Sequence, residues 1–382
     1  MKTILTPAAA AVAIATLCAA GVAQAQSSVT LYGVLDTGLN FTTNAGGHRA
    51  FAMVSGDTSE TRFGIKGSED LGGGLSAIFN LENGANLNTG QLNEGGRLFG
   101  RQAWVGLSSA RYGTFTMGRQ YDATVDLWSP FTAAGNAIGD LAAHPFDNDN
   151  ADYDYRFDNS VKYVSPTLNG FTFEGVYGFS NATHFAANRA YSAGVSYAAG
   201  PFSAAAAYMR QNGSNTTTAG AVGGDGVFTA SHQQNLDAGV KWTFGDGSNV
   251  ALAYSHVDVY GPTANGYAPN LGSQAWGAWK FDNLEVNGQY FINPALFAAA
   301  SYTFTHGKLE AANGGGSPNW HTLALMLNYA LSKRTSVYVQ GAWQHTNGRT
   351  GTDLDSAHIV GSADLSSSGN QMVYRVALMH TF

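Results

Sequence analysis

From about residue 28 to residue 382 the chain repeats one pattern, in which apolar and polar positions alternate with a period of two. Phe171, Phe173, Tyr177 and Phe179 alternate with Thr172, Glu174, Val176 and Gly178. Leu236, Ala238, Val240, Trp242 and Phe244 alternate with Asp237, Gly239, Lys241 and Thr243. The pattern returns at Val250, Leu252 and Tyr254, at Leu323, Leu325, Leu327 and Tyr329, and at Tyr374, Val376, Leu378 and Phe382. Successive side chains of a strand point to opposite faces, so each run predicts a strand with one apolar and one polar face. No segment carries a helical stripe of useful length.

Strands are expected near 28–41, 58–68, 73–84, 96–108, 112–120, 152–165, 170–180, 188–199, 201–211, 231–244, 248–260, 282–292, 295–306, 319–330, 334–346 and 370–382. The segment 271–292 is the least regular, and Gln274 to Phe281 also reads as a strand of its own. Short turns, such as Asp70-Leu71-Gly72 and Gly245-Asp246-Gly247, alternate with longer Asn/Gly/Thr-rich loops near 42–57, 85–95, 121–151, 181–187, 212–230, 261–281, 307–318 and 347–369. About sixteen strands with turns on one side and loops on the other describe an all-β, antiparallel, up-and-down transmembrane barrel. So wide a lumen cannot be filled by the large residues of the apolar face, so that face must point outward and the polar face must line water. Hydrocarbon solvates no backbone polar group, which requires the sheet to close. Tyr32, Trp242, Tyr290, Tyr329 and Trp343, near strand ends, are candidates for interfacial girdles.

Composition agrees. Only 12% of residues are charged, against about 25% in a typical soluble domain, and 48 glycines favour short strands and tight turns. Mean hydropathy is −0.12, too polar for a bundle of apolar spanning helices. Met1-Lys2-Thr3, an apolar run beginning at Ala8 and Ala23-Gln24-Ala25 form an export leader, with cleavage expected after Ala25. Removing residues 1–25 leaves a barrel over 26–382 with no cysteine, so no disulfide framework is expected. The acidic balance argues against nucleic-acid binding.

Residues 121–151 form the longest loop, beyond the roughly 12–15 residues at which an unstructured connection becomes unusual. Its contour suffices to enter the lumen and return. It is acidic, with Asp122, Asp126, Asp140, Asp147 and Asp149. On the second strand Arg62 and Lys66 take the inward phase, opposite Phe63 and Ile65. On the sixth strand Arg156, Asp158 and Lys162 lie opposite Val161 and Tyr163. Glu82 shares an inward phase with Ser76 and Asn80. Alternation alone puts Arg101 on the face of Ala103, Val105 and Leu107. A charge on the lipid side near the midplane costs roughly 2–4 kcal/mol, which favours inward placement for all these charges.

Several stretches together resemble the general diffusion porins of Gram-negative bacteria, of the trimeric Neisseria and Burkholderia type. They are Ser28 to Gly33, Thr61 to Leu75, Arg101 to Leu107, Gly113 to Gln120, Tyr329 to Thr335 and His380-Thr381-Phe382. The resemblance implies a sixteen-stranded barrel, an inward-folded third loop at 121–151, a homotrimer in outer-membrane lipid and lipopolysaccharide, and passive passage of small hydrophilic solutes without a cofactor. It also implies a pore constriction with Arg62, Lys66, Arg101, Arg156 and Lys162 on its basic side and Glu82, Asp122, Asp126 and Asp140 on its acidic side. It turns Gln102 and Trp104 outward. The terminal Phe382, in phase with Tyr374, resembles the signal read by the barrel-assembly machinery. The loop segment Ala134 to Asp140 departs from the family's acidic-aromatic tip, which leaves open which acid faces the eyelet.

Other readings are weaker. The histidines show no metal-ligand spacing, and G-x-S-x-G and H-E-x-x-H are absent from the sequence, so neither a barrel-embedded enzyme nor a bound metal is expected. Asp147 to Asp152 is like a calcium loop but fails at Ala151. A solute-specific channel would show an aromatic slide, whereas Trp128, Phe131 and Phe146 follow no clear period.

Overall fold

A computed structural model describes residues 27–216 and 219–382. The leader with its cleavage position Ala25 lies outside the described residues. The strands are β1 (Ser28–Ala45), β2 (His48–Ser55), β3 (Arg62–Gly72), β4 (Leu75–Gly84), β5 (Gln102–Ser109), β6 (Gly113–Gln120), β7 (Phe157–Val164), β8 (Phe171–Gly178), β9 (Ala190–Ala199), β10 (Phe202–Asn212), β11 (His232–Thr243), β12 (Asn249–Tyr260), β13 (Trp276–Asn293), β14 (Leu296–Ala311), β15 (Asn319–Ala330), β16 (Thr335–Thr346) and β17 (Asn370–Thr381). Each pairs antiparallel with its neighbours in sequence, except that β2 and β3 both pair with β1 and together make one stave, giving sixteen staves. The seam closes where β1 meets β17, from Val34 opposite Thr381 to Thr42 opposite Val373.

The two faces have inverted polarity. Leu236, Leu252, Leu284, Leu325 and Val376 are exposed on the outer face, while Asn235, Asp237, Ser255, Glu285, Thr303 and Thr322 are buried inside. In hydrocarbon each such outward Leu or Val gains about 1.5–3 kcal/mol over exposure to water. Closure leaves the wall without the long free edge that lipid would penalise.

Three local expectations fail for physical reasons. The first outer connection is a tight turn at Gly46-Gly47, and the expected loop 42–57 is largely strand. The second stave instead breaks at 56–61. Gly56 takes a left-handed conformation (φ +79°), and Thr61 Oγ1 donates to the Asp36 carbonyl (2.8 Å) and accepts from the Asp36 amide (3.0 Å), standing in for ladder partners. The expected boundary inside 261–292 is absent, because β13 runs unbroken through both halves. There Trp279 and Phe281 share the inward face with Asn283 and Glu285 and pack with Phe146, Phe228 and Trp320. The inward phase thus turns apolar where loops roof the lumen, which hides the strand from a polar-inside pattern. Tyr32, expected in a girdle, faces inward, its hydroxyl within hydrogen-bond distance of Asn80 Oδ1 (2.7 Å) and Glu82 Oε2 (2.9 Å).

Candidate functional site: a constriction built by the third loop

Tyr121 follows the last residue of β6, and from there the chain leaves the wall until β7 begins at Phe157, so the loop is longer than the expected 121–151. Its course is fixed by inward-facing polar groups. Thr124 Oγ1 donates to Asp237 (2.9 Å), Trp128 Nε1 to the Ala238 carbonyl (2.9 Å), and the Ala133 amide to Glu285 (2.7 Å). Lys241 reaches the Pro130 carbonyl and Asn136 Oδ1. At the far side the Ile138 carbonyl accepts from Gln340 (2.5 Å) and Thr58 (3.3 Å), and the Asp140 amide donates to the Asp57 carbonyl (3.3 Å). Gly139 sits at φ +87°, and a Cβ there would lie 2.1 Å from the Asp57 carbonyl oxygen. Only glycine permits that approach.

His144 holds the loop's return. Its Nδ1 lies 2.6 Å from Asp149 and its Nε2 3.1 Å from Glu285, with all three side chains buried. Burial opposes the charged imidazole, but the two flanking carboxylates outweigh it and raise the His144 pKa well above its ordinary value. Asp149 also accepts from Ser255 and from Asn283 (3.2 Å), so the calcium-like segment serves as an anchor to the wall.

A cavity of about 290 Å³ lies beside the loop. On one side Arg62, Arg101 and Arg156 converge. Arg101 donates to Glu82 (2.9 Å) and Tyr121 Oη (2.8 Å) and contacts Glu60. Arg156 donates to the same Tyr121 oxygen (2.6 Å) and lies 3.6 Å from Glu60 and 3.9 Å from Glu94. Arg62 is 3.6 Å from Glu82 and donates to the Glu60 carbonyl (3.0 Å). Asp126, Asp140 and Asp152 of the loop and Asp57 of the wall line the same cavity.

Among the sequence-predicted residues, Arg62, Arg101, Glu82, Asp126 and Asp140 line this space, and Arg156 joins it through Tyr121 and Glu60. Lys162 contacts Asp126 and donates to the Tyr121 carbonyl (3.1 Å). Three expectations need correction. Lys66 shares the inward phase but stands apart from the constriction, its Nζ 5.0 Å from the Tyr32 ring centre. Asp122 is buried and caps the loop's first turn, accepting from the Thr124 amide (2.7 Å), and does not line the gap. Burial pushes its carboxyl up to about 6. Asp158 leaves the phase of Lys162 because Asn159 (φ +52°) forms a bulge, and it pairs with Arg119 (2.7 Å) instead.

Arg101 precedes the first residue of β5, so alternation does not bind it, and it turns inward alongside Gln102. Gln102 and Trp104 pair with inward Glu82 and Asn80 and do not face outward, and Trp104 donates to Gln102 (2.8 Å). Sequence reasoning missed Asp57, Glu60, Glu94, Tyr121, Asp152 and the wall pair Asp36–Arg375 (2.9 Å). Arg375 was detectable, since it takes the phase opposite Tyr374 and Val376. Nothing in the sequence marks Asp57 or Glu60, which depend on the broken stave.

A closed barrel with an apolar outer belt and a polar, charged interior defines a membrane channel. The family model described as "Gram-negative porin" matches residues 8–349. An outer membrane porin protein of Bordetella pertussis is 31% identical over 364 residues, covering 85% of this chain and 90% of that protein. An anion-selective porin from Comamonas acidovorans superposes with a TM-score of 0.71 at 22% identity, covering 94% of this chain and all of that one. OmpT of Vibrio cholerae, in a trimer form, gives 0.63 at 17% identity and covers 93% and 99%. The chain belongs to the Gram-negative porin family. It is an outer-membrane porin of a Gram-negative bacterium, through which ions and small hydrophilic solutes diffuse passively.

Proposed function

We propose that permeation runs through each barrel of a homotrimer and is filtered at the ring of Arg62, Arg101 and Arg156 against Glu60, Glu82, Asp126 and Asp140. The observation that carries this reading is the convergence of three arginines, from three separate segments, on Glu60, Glu82 and the Tyr121 hydroxyl beside the loop acids. Two unit charges 4 Å apart interact by about 4 kcal/mol at an effective dielectric near 20. Such a field orients water and dipolar solutes across the gap and disfavours apolar ones, whose entry displaces oriented water. General diffusion is favoured over a solute-specific slide because Trp128, Phe131 and Phe146 are buried and packed away from the passage. No catalytic role is proposed, since the polar groups of the lumen serve as charge pairs and loop anchors.

The trimer face is assigned to the outer surface of β1–β5 and β17. Its large apolar residues are unusually bare, with Phe51 82% exposed and Leu39 66% exposed, and Val376 pairs with Leu39 across the seam. The ring of Phe382 packs on Gly33, and the backbones of these residues exchange two hydrogen bonds (3.1 Å each). A strand ending this way, with Tyr374 facing outward, suits recognition by the barrel-assembly machinery before the seam closes.

In planar bilayers the purified chain is expected to give stepwise ohmic conductance. Replacing Arg62, Arg101 and Arg156 together by Ala is expected to shift the zero-current potential toward cations, because Glu60, Glu82 and Glu94 lose their partners. Absence of conductance from folded protein would sink the channel reading, and conductance without a shift would discard the arginine ring.

A further inference from the structure

We infer that the constriction of this channel passes small cations in preference to anions. The inference rests on the channel reading above and specifies its solute class. It comes from the pairing of charges, not from the acidity of the whole chain, since exposed charges more than about 8 Å away are largely screened at physiological salt.

Arg62 and Arg101, which line the gap, and Arg156 behind them bring no free positive charge. Arg62, Arg101 and Arg156 stand among Glu60, Glu82 and Glu94, each carboxylate within 4.0 Å of at least one guanidinium. Lys162 lies between Asp126 and Glu174. Arg375 lies between Asp36 (2.9 Å) and Asp57 (3.9 Å). Asp140 and Asp152, which line the gap, have no ion-pair partner among the described residues. Asp57 is 2% exposed, and neither of its carboxylate oxygens has a hydrogen-bond partner. The lining beside the loop therefore carries matched positive charges and surplus acidic groups. A low-dielectric cleft lined with a surplus of one sign concentrates counter-ions.

Burial and mutual repulsion push Asp140 and Asp152 well above the ordinary carboxylate range. Facing them are Asp57, Asp36 and Arg375 from the wall and Asp147 and Asp154 from the loop. A passing cation relieves that repulsion and favours the ionised forms, whereas an anion adds to it. The surplus of ionised carboxylates therefore grows as pH rises.

The test is the zero-current potential of the purified full chain in a planar bilayer under a KCl gradient at mildly alkaline pH, beside the triple variant Asp57→Asn, Asp140→Asn and Asp152→Asn. Single Asp140→Asn and Asp152→Asn variants, which leave the wall residue in place, guard against misfolding of the triple. The expected result is a potassium permeability several-fold above that of chloride, falling toward equality in the triple variant and part of the way in each single. Chloride preference in the unaltered chain, or an unchanged ratio in all variants, would overturn the inference while leaving the channel intact. Absence of conductance would instead remove the reading on which it rests.

Discussion

Asp36→Ala is expected to destabilise the closed barrel by about 3–5 kcal/mol, the usual consequence of leaving one partner of a buried ion pair alone. Asp36 on β1 and Arg375 on β17 face each other across the seam at 2.9 Å, both side chains wholly buried. Tyr338 of β16 donates to both Asp36 oxygens (2.7 and 2.8 Å) and accepts from Arg375 Nε (3.0 Å), while Asn40 accepts from Arg375 Nη1 (2.9 Å). Removing the carboxylate strands a guanidinium and a phenol at the place where the sheet must close. Denaturant unfolding followed by circular dichroism measures the loss. Adding Arg375→Met to Asp36→Ala is expected to recover part of it, because the stranded guanidinium is removed while Tyr338 and Asp57 still lack their partners. A single variant within about 1 kcal/mol of the unaltered protein would refute the seam's role, since that is no more than an ordinary hydrogen bond contributes.

His144→Ala is expected to loosen the loop that narrows the pore, with a local cost of about 3–5 kcal/mol from the same kind of disruption. The charged imidazole bridges Asp149 and Glu285, and its loss leaves two buried carboxylates repelling each other. Other anchors keep the loop within the lumen, notably Lys241 and Gln340. The expected readout is a noisier open-channel current with frequent brief transitions, while the barrel's unfolding midpoint moves less than in the seam variant. The sign with pH follows from the raised pKa of His144. The clamp is fully present below the unfolded value of about 6.5, and is lost as pH rises through the higher folded-state value. Unaltered protein at strongly alkaline pH should therefore come to behave like the variant. A quiet variant channel, or noise independent of pH in the unaltered one, would count against the clamp.

The barrel was legible because its rule is local. Wherever one face meets lipid and the other meets water, the period of two survives, as in β11 with Leu236 and Val240 outside and Asn235 and Asp237 inside. Legibility ended where a third environment intruded. In the first part of β13 the inward face meets other loops, so Trp279 and Phe281 precede Asn283 on the same side and the pattern blurs. The bulge at Asn159 changed the aim of Asp158 by one residue, and a positive φ at a single Asn is not distinguishable in sequence from an ordinary strand position. Alternation reached Arg62 and Glu82, which line the cavity beside the loop, because both lie within strands. Arg101 and Arg156 lie just outside strands, where resemblance or coordinates must replace phase. Asp57 and Glu60 belong to a stave that breaks where Gly56 turns left-handed and Thr61 bonds to Asp36, a partner 25 residues away.

The seat of the third loop's tip also says something about the order in which the molecule acquires its shape. Ile138 bonds to Gln340, 202 residues further along the chain, and packs with Leu141 against Tyr338, Val373 and Ala377, while its other partner, Thr58, comes from near the start. The two halves of that seat come together only when the two ends of the chain have met. Contacts so distant in sequence form late, because the entropy of closing the intervening chain must be overcome before they contribute. A barrel caught before its ends have joined therefore holds an undocked loop and an unfinished gate, and the selective channel comes into being in the same step that seals the wall.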